Sequence, residues 1–245
     1  MRSRAMTLLV FLFAVPSKGP CAQEVTANVF FNVFQIRVPG ATGTAFTMVV
    51  DGRQYLITAK HMVRDLKVDG SQESIEIRKI KEPRKSLEWK RLAVRIFACD
   101  DPIDIAVLVT PELVRETFAL EPTPNDMNLS QEGYFLGFPL GYASATGGSN
   151  FPFPFPFTKK GNLSLVSYDD EVERMFFDGY NNHGFSGGPV VYRDNTDAKG
   201  RSHFYVAGVI SGFIPELARR HVGANFAVPT TQIKGFRRLR AHRTT

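Results

Sequence analysis

Residues 182–190 read Asn-His-Gly-Phe-Ser-Gly-Gly-Pro-Val, and no other stretch narrows the folding options of this chain so far. A serine between glycines, followed by a proline and the β-formers Val190, Val191 and Tyr192, describes a tight turn feeding a strand. Gly184 and Gly188 permit backbone angles that a Cβ would forbid. Such a turn can aim the N–H groups of Gly184 and Ser186 at one point, where they would stabilise a developing oxyanion. The plain alternative is a hairpin turn whose serine satisfies a local hydrogen bond. A base and an orienting acid elsewhere in the chain would separate the two.

Both have candidates upstream. Tyr55 to Lys60 is an apolar strand running into His61, and Asp104 opens the apolar segment Ile105-Ala106-Val107-Leu108. Asp100 and Asp101 compete for the acid role, but they precede a proline and are expected to face water. Asp104 directly precedes a buried-looking strand, so its carboxylate can be held against an imidazole.

These residues resemble the motifs of the trypsin-like serine peptidases of the chymotrypsin fold, in a form closer to the disulfide-free bacterial branch than to the digestive enzymes. Thr58-Ala59-Lys60-His61 is similar to the family's TAxH, Asp104 to Leu108 to its DIAxL, and Gly184 to Pro189 to its GxSGGP. Gly43-Thr44-Ala45-Phe46 resembles the GTxF strand before the histidine strand, and Gly137 to Gly141 resembles a GxPLG strand and turn. The chain order His, Asp, Ser is the one this fold uses. The resemblance implies an all-β protein of two antiparallel six-stranded barrels with a C-terminal helix. It implies Ser186 as nucleophile, His61 as base, Asp104 as its orienting partner, and an oxyanion hole from the Gly184 and Ser186 N–H groups. It also implies that Ser211-Gly212-Phe213 pairs with the substrate backbone. Tyr180 would stand at the floor of the specificity pocket, Phe213 would narrow it, and His183 would be a specificity contact at the rim. No metal or organic cofactor is called for. One departure matters: Phe185 stands where digestive members carry the aspartate that pairs with a newly cut amino terminus, so that switch is not expected.

Residues 1–22 read as a secretory signal, with Arg2 and Arg4 before the apolar run Thr7 to Val15. That run is too short to span a bilayer comfortably. Membrane contact is therefore expected only through the leader, and the mature protein is expected to be secreted or periplasmic. Loss of the leader removes Cys21 and leaves Cys99, so no internal disulfide is expected. The net charge of +6 could suggest nucleic acid, but the basic residues gather at the two ends without a recognition motif, so none is expected as a partner. Cys99 has no neighbour that would lower its pKa and reads as an inert buried thiol.

The rest of the chain divides into a first barrel at 23–118, a linker at 119–128, a second barrel at 129–230 and a basic helix and tail at 231–245. Val25 to Val38 suggests one strand or a pair, and Asp51-Gly52 marks a hairpin. Trp89 is expected on the barrel rim. The Phe-Pro alternation at 151–157 cannot donate to a β-ladder and reads as a loop insertion. The reading that follows is a serine endopeptidase acting on proteins or peptides. The alternative is a peptidase-fold binding module of little activity that uses the loop at 151–157 as its contact surface.

Overall fold

The computed structural model describes residues 25–78, 88–115, 119–123, 126–142, 155–169, 172–179, 181–194, 203–213 and 225–229. The leader, the C-terminal basic helix, residues 151–154 and Tyr180 lie outside them.

Six strands close the first barrel: β1 (Val33–Val38), β2 (Ala41–Val50), β3 (Arg53–Thr58), β4 (Asp69–Arg78), β5 (Lys90–Ala98) and β6 (Ala106–Val109), in the spatial order β1-β2-β3-β6-β5-β4. The β2–β3 hairpin turns at Asp51 (φ 51°) and Gly52 (φ 72°), the pair of positive angles that a two-residue turn of this hand requires.

The second sheet contains β7 (Glu121–Pro122), β8 (Glu132–Gly137), β9 (Phe157–Asp169), β10 (Val172–Asp178), β11 (Pro189–Asp194), β12 (His203–Phe213) and β13 (Asn225–Pro229). Because β11 pairs with both β8 and β12, six of these strands close on themselves. β7 is added parallel to β12, so part of the expected linker is a short edge strand. Pro122 has no N–H to donate, which suits an edge.

The barrels meet face to face. In β8, Phe135 enters the second barrel while Tyr134 and Leu136 join the cluster between the barrels. In β2, Ala45 points into the first barrel and Phe46 and Met48 point to the seam. Strands buried on both faces read as near-continuous apolar runs, which is why alternation is weak in these segments.

Residues 25–38 differ from the expected strand. Ala27–Phe31 is one turn of helix, α1, ahead of β1. Val29 and Phe30 are sequence neighbours that both enter the inter-barrel cluster, an arrangement a helical turn allows and a strand's alternation does not. The Asn32 side chain fixes the end of the turn, donating to Asn28 O at 2.8 Å and accepting from Thr47 Oγ1 at 2.6 Å.

Candidate active site

His61 sits in a 3-10 turn (Lys60–Val63) directly after β3, and Asp104 precedes β6, the strand paired with β3. That pairing brings two residues distant in sequence into contact. His61 Nδ1 lies 2.7 Å from Asp104 Oδ2, and the His61 backbone N–H donates to Asp104 Oδ1 at 2.8 Å. Both carboxylate oxygens are therefore occupied by one residue, which fixes the imidazole plane as well as its distance.

A third group reaches the same carboxylate. Ser211 donates from its hydroxyl to Asp104 Oδ2 at 2.5 Å. The β12–β13 register jumps between Ile210 and Gly212, so Ser211 is the extra residue of a β-bulge. A bulge re-aims a side chain, here across the seam onto Asp104. Burial pushes the Asp104 pKa up, but the hydrogen bond and charge of His61, with the Ser211 hydroxyl, outweigh it and leave the net shift downward. Asp104 thus stays ionised. Asp101 instead pairs with Lys60 Nζ at 2.5 Å with its side chain in solvent, and Asp100 is exposed.

Ser186 lies half-buried on the turn between β10 and β11. Thr44 of β2 clasps that turn. Its N–H donates to Ser186 O at 3.1 Å, its hydroxyl donates to Gly184 O at 2.7 Å, and the same hydroxyl accepts the Phe138 N–H at 3.1 Å. Gly187 has φ +82° and packs so closely that a Cβ would stand 2.1 Å from Thr58 Oγ1 and 2.9 Å from Ala59 N. On the other side, a Cβ on Gly43 would meet both Met62 Cε at 2.6 Å and Ser186 O at 3.2 Å. The turn thus rests against the chain just before His61, and Gly43 stands between Ser186 and Met62, the residue just after it.

The His183 carbonyl accepts the Leu140 N–H at 2.7 Å. A trans peptide sets its C=O and N–H in opposite directions, so the Gly184 N–H faces away from Leu140. Gly184 has φ +101°, and a Cβ there would lie 2.3 Å from Phe138 O, so only glycine fits. Among the described residues neither the Gly184 nor the Ser186 N–H has an acceptor.

A model of the trypsin-like peptidase domain matches residues 43–196 of this sequence. The chain belongs to that family. Solved structures agree on the fold. The active form of the Rv3671c protease from M. tuberculosis is 19% identical with a TM-score of 0.55, the match covering 85% of this chain and 80% of that one. The serine endoprotease from Yersinia pestis is 17% identical with a TM-score of 0.56, covering 86% and 63%. The MamO protease domain from Magnetospirillum magneticum is 14% identical with a TM-score of 0.53, covering 86% and 97%.

In this trypsin-like peptidase, Phe185 is fully buried among Phe135, Phe177 and Val190, with Lys159 Nζ 4.9 Å from its ring centre. An apolar side chain anchors the turn where digestive relatives use a charge. Of the expected rim residues, His183 is exposed, and Ser211, Gly212 and Phe213 end β12. β11 pairs with β12 only as far as Val209, so among the described residues Gly212 and Phe213 are paired along one edge, by β13, with Ser211 as the bulge between. The side chain of Phe213 and the whole of Tyr180 lie outside the description. Thr44 and the hydroxyl of Ser211 are positioning groups that sequence reasoning missed. Thr44 stood inside a quoted motif, whereas the bulge that aims Ser211 depends on register and leaves no local mark.

Proposed function

We propose that this peptidase is a serine endopeptidase that cuts peptide bonds through an acyl-enzyme. The observation that carries the reading is the His61–Asp104 pair, held at both carboxylate oxygens on the segment against which the Ser186 turn rests. With Nδ1–H donated to Asp104, the imidazole keeps Nε2 as its free acceptor. Nε2 takes the Ser186 proton as Oγ attacks the substrate carbonyl, then returns it to the leaving amine. Water repeats the sequence to release the acyl group. Asp104 stabilises the transient imidazolium, and the Gly184 and Ser186 N–H groups hold the oxyanion. The edge of 211–213 that is unpaired among the described residues suits an extended substrate backbone, added as a further strand.

A fluorophosphonate probe tests this directly, because phosphonylation of Ser186 needs a working base and oxyanion hole. Mass spectrometry is expected to place one adduct on Ser186 and none on the Ser186→Ala chain. Absence of labelling on a folded wild-type chain would remove the nucleophile assignment and favour a binding module. Phe155, the first described residue of the Phe-Pro loop, stacks on Phe30 at 4.4 Å between ring centres, which ties that end of the loop to the molecule itself. Export as a secreted or periplasmic protein rests on the leader at 1–22. Among the described residues no helix is long and apolar enough to cross a membrane. Amino-terminal sequencing of the mature protein tests the export reading, with a start near residue 23 expected.

A further inference from the structure

One buried polar side chain joins the first barrel to the turn that bonds the peptide carrying the Gly184 N–H. Phe34, Ile36 and Val38 of β1 point into the first barrel, so Gln35, which is 1% exposed, faces the second. Both ends of its amide are used. Oε1 accepts from Arg78 Nη1 at 3.1 Å, and Nε2 donates to Gly141 O at 2.7 Å. Arg78 is the cross-strand partner of Gln35 and lies 4.6 Å from the ring centre of Trp89, which fixes the guanidinium behind the amide. Gly141 ends the turn Pro139–Gly141.

That turn holds an unfavourable conformation. Leu140 has φ 52° and ψ 24°, the left-handed region, although it carries a side chain. Its side chain is in solvent, 65% exposed, so burial of Leu140 does not compensate. The conformation has a use: it presents the Leu140 N–H to His183 O at 2.7 Å. If Leu140 relaxed to the right-handed region, its N–H would turn away and the His183 carbonyl would lose the donor that now fixes its direction, which favours rotation of the His183–Gly184 peptide. Rotation would bring the carbonyl to where the Gly184 N–H now points, and an oxyanion there would meet an acceptor instead of a donor.

We propose that Gln35 is a positioning residue for the oxyanion hole, holding the 139–141 turn in its left-handed form so that the His183 carbonyl stays turned away and the Gly184 N–H stays available. This rests on the reading of Ser186 as nucleophile. It adds a requirement from the opposite barrel, more than 100 residues away in sequence and outside every motif quoted above.

Gln35→Glu tests it with little change of shape, since the carboxylate keeps an acceptor for Arg78 and loses the donor to Gly141 O. Gln35→Leu is the second variant should the carboxylate prevent folding. Loss of one oxyanion donor typically costs about 10²–10³ in kcat, so partial loss of its alignment is expected to lower kcat roughly ten- to a hundredfold, with KM within about twofold. The pH midpoint of kcat/KM should not move, because His61 and Asp104 are untouched. Adding Leu140→Gly should restore several-fold of the rate, because glycine adopts the left-handed angles without strain. Amide hydrogen exchange of Leu140, read in the full chain, is expected to quicken at least tenfold in Gln35→Glu. Unchanged exchange at Leu140 overturns the proposal, as does quicker exchange with an unchanged kcat. Loss of rate in step with global stability, without rescue by Leu140→Gly, also overturns it. A wild-type chain that leaves Ser186 unlabelled removes the nucleophile assignment instead, while the exchange comparison still decides whether Gln35 holds the turn.

Discussion

Asp104 is the residue on which opposing effects meet. Burial disfavours its charge, yet His61 and Ser211 return more than burial takes, so its pKa in the folded protein is lowered. A carboxylate with a lowered pKa stabilises the fold above its unfolded pKa, near 4, and that contribution fades as pH falls through the folded value. Ser211→Ala removes one of the compensating donors. A hydrogen bond to a charged group is worth about 1.5–3 kcal/mol, so kcat/KM is expected to drop about tenfold or more, measured on a peptide amide. The acid-unfolding midpoint, followed by circular dichroism, should move to higher pH, because Asp104 then takes up its proton sooner. Cys99 shows the opposite sign. Burial raises its thiol pKa to about 11, so the folded protein holds that proton after the unfolded chain has released it, and stability falls as pH rises from about 9 to 11. The sequence-based reading of an inert thiol agrees with this. The two partners of Asp104 were not equally legible: His61 announced itself by its motif, while the reach of the Ser211 hydroxyl to Asp104 depends on a bulge that cannot be seen before the strands are paired.

The element that organises the site is the turn at 182–188, and its shape is set from outside. Thr44 holds two of its carbonyls, Ile210 O accepts the Gly187 N–H at 2.8 Å, and Gly188 O receives the Ile210 N–H at 2.8 Å. Gly187→Ala would drive a methyl group into Thr58 Oγ1 and Thr44 O at a positive φ, so strain and collision act together. The expected loss is roughly 3–5 kcal/mol of unfolding free energy, toward the exceptional end for a point substitution, readable as a lower urea midpoint. The quoted motifs located this turn, β2, β3 and β6 almost to the residue, because each couples a sharp change of composition to a special backbone need. Leu140 defeated that logic. Nothing about a leucine after a proline predicts left-handed angles, and the hydrogen bonds that accompany them, at Gly141 and His183, join residues far apart in the chain. α1 was hidden for a different reason: Val29 and Phe30 lie in an apolar run that also suits a strand, and only the shared burial of neighbours decides between them.

At the scale of the molecule, the inter-barrel cluster joins the two sheets into one structure. Phe46 is fully buried there with Ile57 and Val107 of the first barrel and Leu136 and Val191 of the second. Phe46→Ala is expected to cost about 3–5 kcal/mol. If the seam couples the barrels, the denaturation midpoint should fall while the slope of free energy against denaturant stays constant; a second transition would show the barrels unfolding apart. The two-barrel architecture was legible through the motif resemblance, and the weak alternation that blurred strand edges is itself a product of this double burial. Phe185 has a wider meaning. Seated between the barrel's own rings, it works as a peg whose grip depends neither on ionic strength nor on a fresh charge released by cutting. If Ser186 is the nucleophile proposed above, its loop needs no newly cut terminus to set it, and the cell's restraint over such a chain would fall to its address and to the traffic allowed into its cleft.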